Sequence, residues 1–245
     1  ADRYTLEEVR LEARVRERRI AVEWLEGKGY GGDVRARGFL DAAGEVPRYL
    51  ARVEFAGIGL RSLLMAAADY GNLDGRGNLY AELSGTGGSE SELVKGTVGT
   101  VKIAGSAGTF EGIDVDLVGN RLRNLQNIGD IGPLLSATEA GGRTRLQRIA
   151  ADWSVGEGVA RTENLRVDMQ TATLEAKGSI DVSALTLDVR GSLRFTAAAG
   201  EPHLGVIIRG PVAAPAQELK TGGLRDYIQK RINDHGLGRA EPPPP

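Results

Sequence analysis

Apolar residues recur at every second position through much of the chain, between turns marked by Gly and Asp. The run is clearest within 141–195, where Leu165, Val167 and Met169 alternate with Arg166 and Asp168. Because successive side chains of a strand point to opposite faces of a sheet, this period predicts strands with one apolar and one polar face. The residues predicted to line an apolar groove on that face are Leu165, Val167, Met169, Leu185, Leu187 and Val189.

The same alternation predicts further strands from the start of the chain, together with a hairpin around Gly105 formed by 97–103 and 108–113. Apolar residues at spacings of three and four predict helices instead, over 60–68, 115–125 and 224–232, with a short helical turn at 89–95. Gly within strand patterns is typical of bulges and bends. The predicted fold is therefore mainly β with a few helices (α+β): a long curved antiparallel sheet with an apolar concave face and short helices packed at its ends.

Composition excludes several classes of function. A net charge of −2 leaves no excess of basic residues for nucleic-acid binding by counterion release, and the absence of Cys excludes disulfides and thiolate metal sites. The longest apolar run, 63–68, is far shorter than the roughly 20 residues that a membrane-spanning helix needs. Ala1 is followed by charged, alternating residues and not by a signal peptide. Because the sequence opens on Ala1 without Met, we expect a fragment or processed product whose membrane anchor lies upstream.

No residue pattern predicts catalysis. Gly27, Gly29 and Gly32 satisfy a dinucleotide-binding spacing, but a strand pattern follows where a helix is required, so we expect a hairpin turn. His203 and His235 are isolated, and Asp114 and Asp116 stand where a helix start needs caps. The sequence predicts no enzyme, no metal site and no cofactor.

Several glycine-centred motifs resemble the C-terminal domain of the AsmA family. They are GGRTR, a Gly-x-x-x-Gly-Ile-Asp segment before a helix, and a Gly-x-x-Asp that closes a strand. In this chain their residues are Gly141, Gly142, Arg143, Thr144 and Arg145; Gly108, Gly112 and Asp114; and Gly178 and Asp181. The motifs carry no catalytic group, so the resemblance implies a fold more directly than a mechanism.

The resemblance implies a β-rich cell-envelope protein of Gram-negative bacteria, periplasmic and tethered to the inner membrane by an upstream helix. It implies a non-enzymatic role in phospholipid transfer towards the outer membrane, with phospholipid, a membrane surface and envelope proteins as partners, and no nucleic acid. We expect one domain over 1–235, made of an N-terminal β part (1–88), an AsmA core (89–220) and a C-terminal helix (221–235). A disordered Pro-rich tail is expected over 236–245.

Two alternatives remain open from the residues. The sheet forms either an open trough for acyl chains or a sandwich with a dry core, since an apolar face must be covered by helices, a second sheet or a ligand. The chain is either a lipid-binding module or an envelope scaffold that binds proteins through a sheet edge or through the helix at 224–232. That helix either packs on the core or contacts a membrane or partner.

Overall fold

A computed structural model describes residues 5–125, 131–139, 141–196, 198 and 200–235. Twelve strands form one antiparallel sheet in which each strand pairs with its neighbours in the sequence. The strands are β1 (Glu7–Arg16), β2 (Arg19–Gly29), β3 (Gly32–Asp41), β4 (Arg48–Gly59), β5 (Leu73–Thr86), β6 (Val98–Glu111), β7 (Arg143–Gly156), β8 (Val159–Met169), β9 (Thr173–Asp181), β10 (Thr186–Arg194), β11 (His203–Pro211) and β12 (Ala216–Lys220).

The sheet is curved and does not close on itself, which confirms the predicted fold class. Within the described residues, strands make substantial contacts only with their neighbours in the sheet, so no second sheet covers either face. The chain therefore forms a single β layer, and the sandwich alternative does not describe it.

The pairing register separates an apolar face from a polar one across the whole sheet. One row of directly opposed residues crosses β1 to β7 and is apolar throughout: Leu11, Leu25, Ala36, Val53, Ala81, Val101 and Trp153. A second row crosses β7 to β11: Ile149, Val167, Leu174, Leu193 and Leu204. Because opposed residues of antiparallel strands point to the same side, these rows lie on one apolar face.

The opposite face carries a ladder of charged residues. The row next to the first apolar row contains Arg10, Glu26, Arg35, Glu54, Tyr80, Lys102 and Asp152, with alternating sign along β1 to β4. Arg35 forms an ion pair with Glu26 at 3.3 Å. Opposite charges on neighbouring strands favour this register, and the polar face can remain in water.

Four of the five helices in the described residues lie at one end of the strands. α1 (Leu60–Ala68), α3 (Val115–Arg123), α4 (Ile131–Glu139) and α5 (Gly222–His235) occupy the connections at this end, whereas the short α2 (Glu90–Lys95) lies at the other. α3, α4 and α5 contribute to one buried core, which includes Phe195, Leu193 and Leu204 from β10, β11 and their connection. This helical cluster fastens the ends of strands β8–β11.

Two features differ from the sequence-based expectation, and a third is not described. The hairpin expected around Gly105 is a single strand, β6, because the chain passes the irregular position Ala107 (φ 48°) without reversing. The helix α4 was not predicted. Pro133 is its third residue, where Pro is tolerated because no intrahelical N–H bond is required. The tail over 236–245 lies outside the described residues.

Asp41 ties together the strand ends opposite the helical cluster. Its carboxylate accepts hydrogen bonds from the Ala43 N–H at 3.1 Å and from Arg48 at 2.9 Å, and Arg19 lies 3.1 Å away. These partners lower the pKa of Asp41 from 3.8 to about 2. The ionised carboxylate therefore binds together three consecutive strands, β2, β3 and β4.

We expect this contribution to stability to be lost in acid. Because the pKa is lower in the folded state, the stabilisation is complete above the unfolded-state pKa and disappears as the pH falls from 3.8 to about 2. Urea unfolding of the protein and of Asp41→Asn across this range checks the prediction. The difference between the two should be largest above pH 3.8 and shrink as the pH falls to about 2; a difference independent of pH would contradict the prediction.

Candidate functional site: the apolar groove

Five of the six predicted groove residues lie on the apolar face of strands. Leu165 and Val167 on β8 oppose Ala176 and Leu174 of β9, and Leu187 and Val189 on β10 oppose the same strand at Ile180 and Gly178. Met169 ends β8 on the same face, where it packs against the helical cluster. The period of two thus placed these side chains together.

Leu185 corrects the predicted stripe. It lies in the turn between β9 and β10, before the strand begins at Thr186, with a φ of 48° and 47% of its surface exposed. The alternation of Leu185, Leu187 and Val189 therefore extended one position too far, because a left-handed turn residue breaks the pleat that the pattern assumes.

Burial indicates that the apolar face is the concave one. Apolar strand residues that are at most 9% exposed although they lie outside the helix-packed cluster include Val34, Ala81, Ala151, Ala176 and Val189. These five point to the apolar face by register. Side chains of a single layer are buried in this way where curvature brings neighbours together, as on the inner side of a curved sheet. The apolar face is therefore a groove.

The groove is long and unequally covered. Twelve strands about 4.8 Å apart extend roughly 50 Å across the strands. The helical cluster covers the groove near the ends of β8–β11, where Leu193 and Leu204 are almost fully buried. At β1–β3 the apolar side chains are more open, with Leu11 54% and Ile20 40% exposed. The groove is thus open towards β1 and partly closed towards β11.

The predicted motif residues gather at the start of α3. Asp114 caps this helix by accepting the Leu117 N–H at 2.8 Å. The Thr144 hydroxyl accepts the Val115 N–H at 3.1 Å and donates to the Ile113 carbonyl. Gly142 lies against Asp114, where an added Cβ would be 2.6 Å from the Asp114 Cβ. The GGRTR and Gly-Ile-Asp motifs therefore form one joint between the sheet and the helical cluster.

The remaining motif residues are structural as well. Gly112 adopts a φ of 153° just after β6, as expected for a bend that Ala would disfavour. Arg143 pairs with Glu111 at 3.3 Å, and Asp181 accepts the Ala184 N–H in the next turn. Gly141 precedes β7; Arg145, Gly108 and Gly178 lie within β7, β6 and β9. None of these contacts places a catalytic or metal-binding group in the groove.

We expect Thr144→Val to weaken the joint. Thr144 is 1% exposed. Removal of its hydroxyl leaves the buried N–H of Val115 without an acceptor, which costs about 1–3 kcal/mol. Urea denaturation of Thr144→Val measures the loss, with Thr144→Ser expected to retain most of the stability. The exposed Thr100→Val on β6 is the matched control. Equal stability of both valine variants would contradict the role assigned to Thr144.

The described residues contain no group of three or more His, Asp or Glu side chains placed to hold a metal ion. The Gly27, Gly29 and Gly32 segment is the β2–β3 hairpin turn, with Tyr30 and Gly31 at its tip. His203 begins β11 and is exposed; Asp116 accepts a hydrogen bond from Thr171 at 3.1 Å. Among the helices in these parts of the chain, none has the length and apolar character needed to cross a membrane.

Comparison with protein families identifies the chain. The family model for AsmA proteins matches residues 3–165, about two thirds of the sequence. The chain belongs to the AsmA family. No curated protein and no solved structure matches it.

The AsmA match covers β1 to most of β8. It includes the joint at α3 but ends before Gly178 and Asp181, so the resemblance drawn from those two residues stays an expectation. The match also covers β1–β6, the part of the AsmA groove for which the sequence reasoning named no groove residue. The alternation of Leu11 with Arg10 and Glu12, or of Val53 with Arg52 and Glu54, was the signal that could have identified it.

Proposed function

We propose that this AsmA-family chain is a non-enzymatic lipid-binding module that contributes to phospholipid transfer between the inner and outer membranes. The observation that carries the proposal is the apolar groove itself, which is continuous from β1 to β11 and, within the described residues, is not covered by a second sheet. Family membership supports an envelope setting. A periplasmic position and an upstream tether are part of the proposal.

The groove matches acyl chains in shape and chemistry. Its floor is mainly aliphatic, with Trp153 among its residues, and Arg or Glu side chains stand on the opposite face. The polar face can therefore remain in water while the groove holds hydrocarbon. Burial of apolar surface contributes about 25 cal/mol per Å², whatever the position of the acyl chain along the groove. A continuous apolar floor therefore permits a lipid to move along it without a large change in free energy, while its head group stays at the open side.

Vesicle-to-vesicle transfer tests this function. Donor vesicles containing a fluorescent phosphatidylethanolamine and a quencher are mixed with unlabelled acceptor vesicles, with and without the 245-residue protein. We expect transfer to accelerate in proportion to protein concentration. Transfer at the rate of vesicles alone, with no protein-bound fluorescence, would contradict the proposal.

The scaffold alternative keeps one observation in its favour. β1 is the edge strand of the described sheet and pairs only with β2 there, and sheet edges can accept a further strand. Strand addition at this edge is compatible with lipid binding, because it uses backbone groups at the end of the groove and not the groove floor.

A further inference from the structure

One residue of the groove floor carries a hydrogen-bond donor. In the two apolar rows that cross the sheet, Trp153 on β7 is the single member with a polar side-chain atom. It lies directly opposite Val101 of β6, on the same face as Ala151, which is 5% exposed. The indole N–H of Trp153 therefore belongs to rows that otherwise offer a ligand only hydrocarbon.

This indole N–H has no hydrogen-bond acceptor among the described residues. Its nitrogen is buried, so solvent does not replace the missing acceptor. On the neighbouring strand β8, Thr162 is 2% exposed, and its hydroxyl is already used: it donates to Asn164 Oδ1 at 3.2 Å and accepts the Asn164 N–H at 3.4 Å. A buried donor without an acceptor is unfavourable, and native proteins rarely retain one without a reason.

The surroundings of Trp153 limit what the acceptor can be. The residue as a whole is only partly buried, so a ligand that lies in the groove contacts its ring. Such a ligand has to present hydrocarbon to Val53 and Val101 of the same row and one acceptor to the indole. An ester carbonyl is a neutral acceptor attached directly to an acyl chain, whereas a phosphate would bring a charge into a row that has no cationic member.

We propose that Trp153 donates its indole N–H to an ester carbonyl of the bound lipid and so holds the glycerol end of the lipid at β7. The inference rests on the proposed function, because it names the part of the lipid that the groove recognises. The ring turns about its side-chain bonds to bring the N–H to the carbonyl, and contact between the ring and the acyl chain stabilises the turned position. One neutral hydrogen bond gives the lipid a preferred position without preventing its movement along the groove.

Two lipids that differ only in the carbonyl test the proposal. Dihexanoyl phosphatidylcholine carries an ester carbonyl on each chain, and its dihexyl ether analogue keeps the phosphocholine group and the chains but lacks both carbonyls. Dissociation constants for the 245-residue protein are measured by calorimetry below the micelle concentration of each lipid. We expect the wild type to bind the ester about three- to tenfold more tightly than the ether, which is the net contribution of one neutral hydrogen bond.

The two Trp residues of the chain provide a variant and its matched control. Trp153→Phe keeps an aromatic ring and removes the donor, so it should bind both lipids with the affinity that the wild type has for the ether. Trp24→Phe removes the same donor outside the groove, where Trp24 is 41% exposed and donates to Glu12 at 3.0 Å. We expect this control to keep the preference for the ester. Circular dichroism confirms the fold of both variants.

The indole signal of Trp153 reports the bond without any change at this residue. In ¹⁵N-labelled Trp24→Phe the remaining indole N–H resonance is that of Trp153, and the ester should shift its proton further downfield than the ether does. Equal affinity of the wild type for the two lipids, a preference that persists in folded Trp153→Phe, or equal shifts would overturn the proposal and leave lipid binding intact. Failure of both lipids to bind would contradict the proposed function and this assignment with it.

Discussion

Leu187→Glu and Val167→Glu should abolish phospholipid binding while the protein stays folded. Both side chains are half-buried on the groove face, and no second sheet covers that face in the described residues. A carboxylate there can reach water once the lipid has left, so folding loses little, whereas bound hydrocarbon would have to desolvate the charge. In a closed core the same carboxylate would have no access to water and would cost several kcal/mol.

Thermal melting and bound phospholipid are measured on one preparation of each variant. Ser179→Glu on β9 is the matched control: it places a carboxylate one residue from Ile180 but on the polar face, opposite Arg161. We expect this control to bind lipid as the wild type does. Unfolding of both groove variants, or equal lipid loss in Ser179→Glu, would contradict the groove assignment.

Phe195→Ala should be among the most destabilising single substitutions. Phe195 is completely buried at the centre of the core shared by α3, α4 and α5. Its ring lies beside Gly119 of α3, where an added Cβ would be 3.4 Å from the Phe195 Cδ1. Truncation of a buried Phe costs about 3–5 kcal/mol through lost transfer energy and the cavity that remains.

Urea denaturation of Phe195→Ala checks this value against Phe39→Ala. Phe39 lies on the polar face of β3 and is 42% exposed, so its truncation removes the same atoms from a site that water can fill. We expect a much smaller loss for Phe39→Ala. Equal losses would mean that the helical cluster does not fasten the strand ends as described.

The sequence was sufficient for the mainly β fold class and for most of the groove near β8–β10, because a period of two fixes which side chains share a face. It also placed Asp114 at a helix start. It could not give the register of β1 to β7, on which the charge ladder from Arg10 to Glu54 depends, since register is a property of strand pairs. Nor could it reveal the position of α4 or the turn conformation of Leu185, both of which depend on local backbone geometry.

An open trough and a sandwich differ in what lies opposite the apolar face. The alternation of apolar and polar residues does not show whether a second sheet covers that face. Outward charges such as Arg52 and Glu82, which form an ion pair at 2.9 Å, show only that one face stays wet. The decision required the long-range arrangement, in which twelve strands follow one another without folding back. The same arrangement revealed that the groove is most open at Leu11 and Val15.

Native mass spectrometry of the purified protein tests the central claim most directly. The 245-residue chain is isolated without detergent, and bound mass is identified by extraction of the same sample, with Leu187→Glu prepared in parallel. The groove account predicts that the wild type carries phospholipid and that Leu187→Glu, equally folded, carries none. A folded wild type that remains free of lipid after incubation with phospholipid vesicles would contradict it.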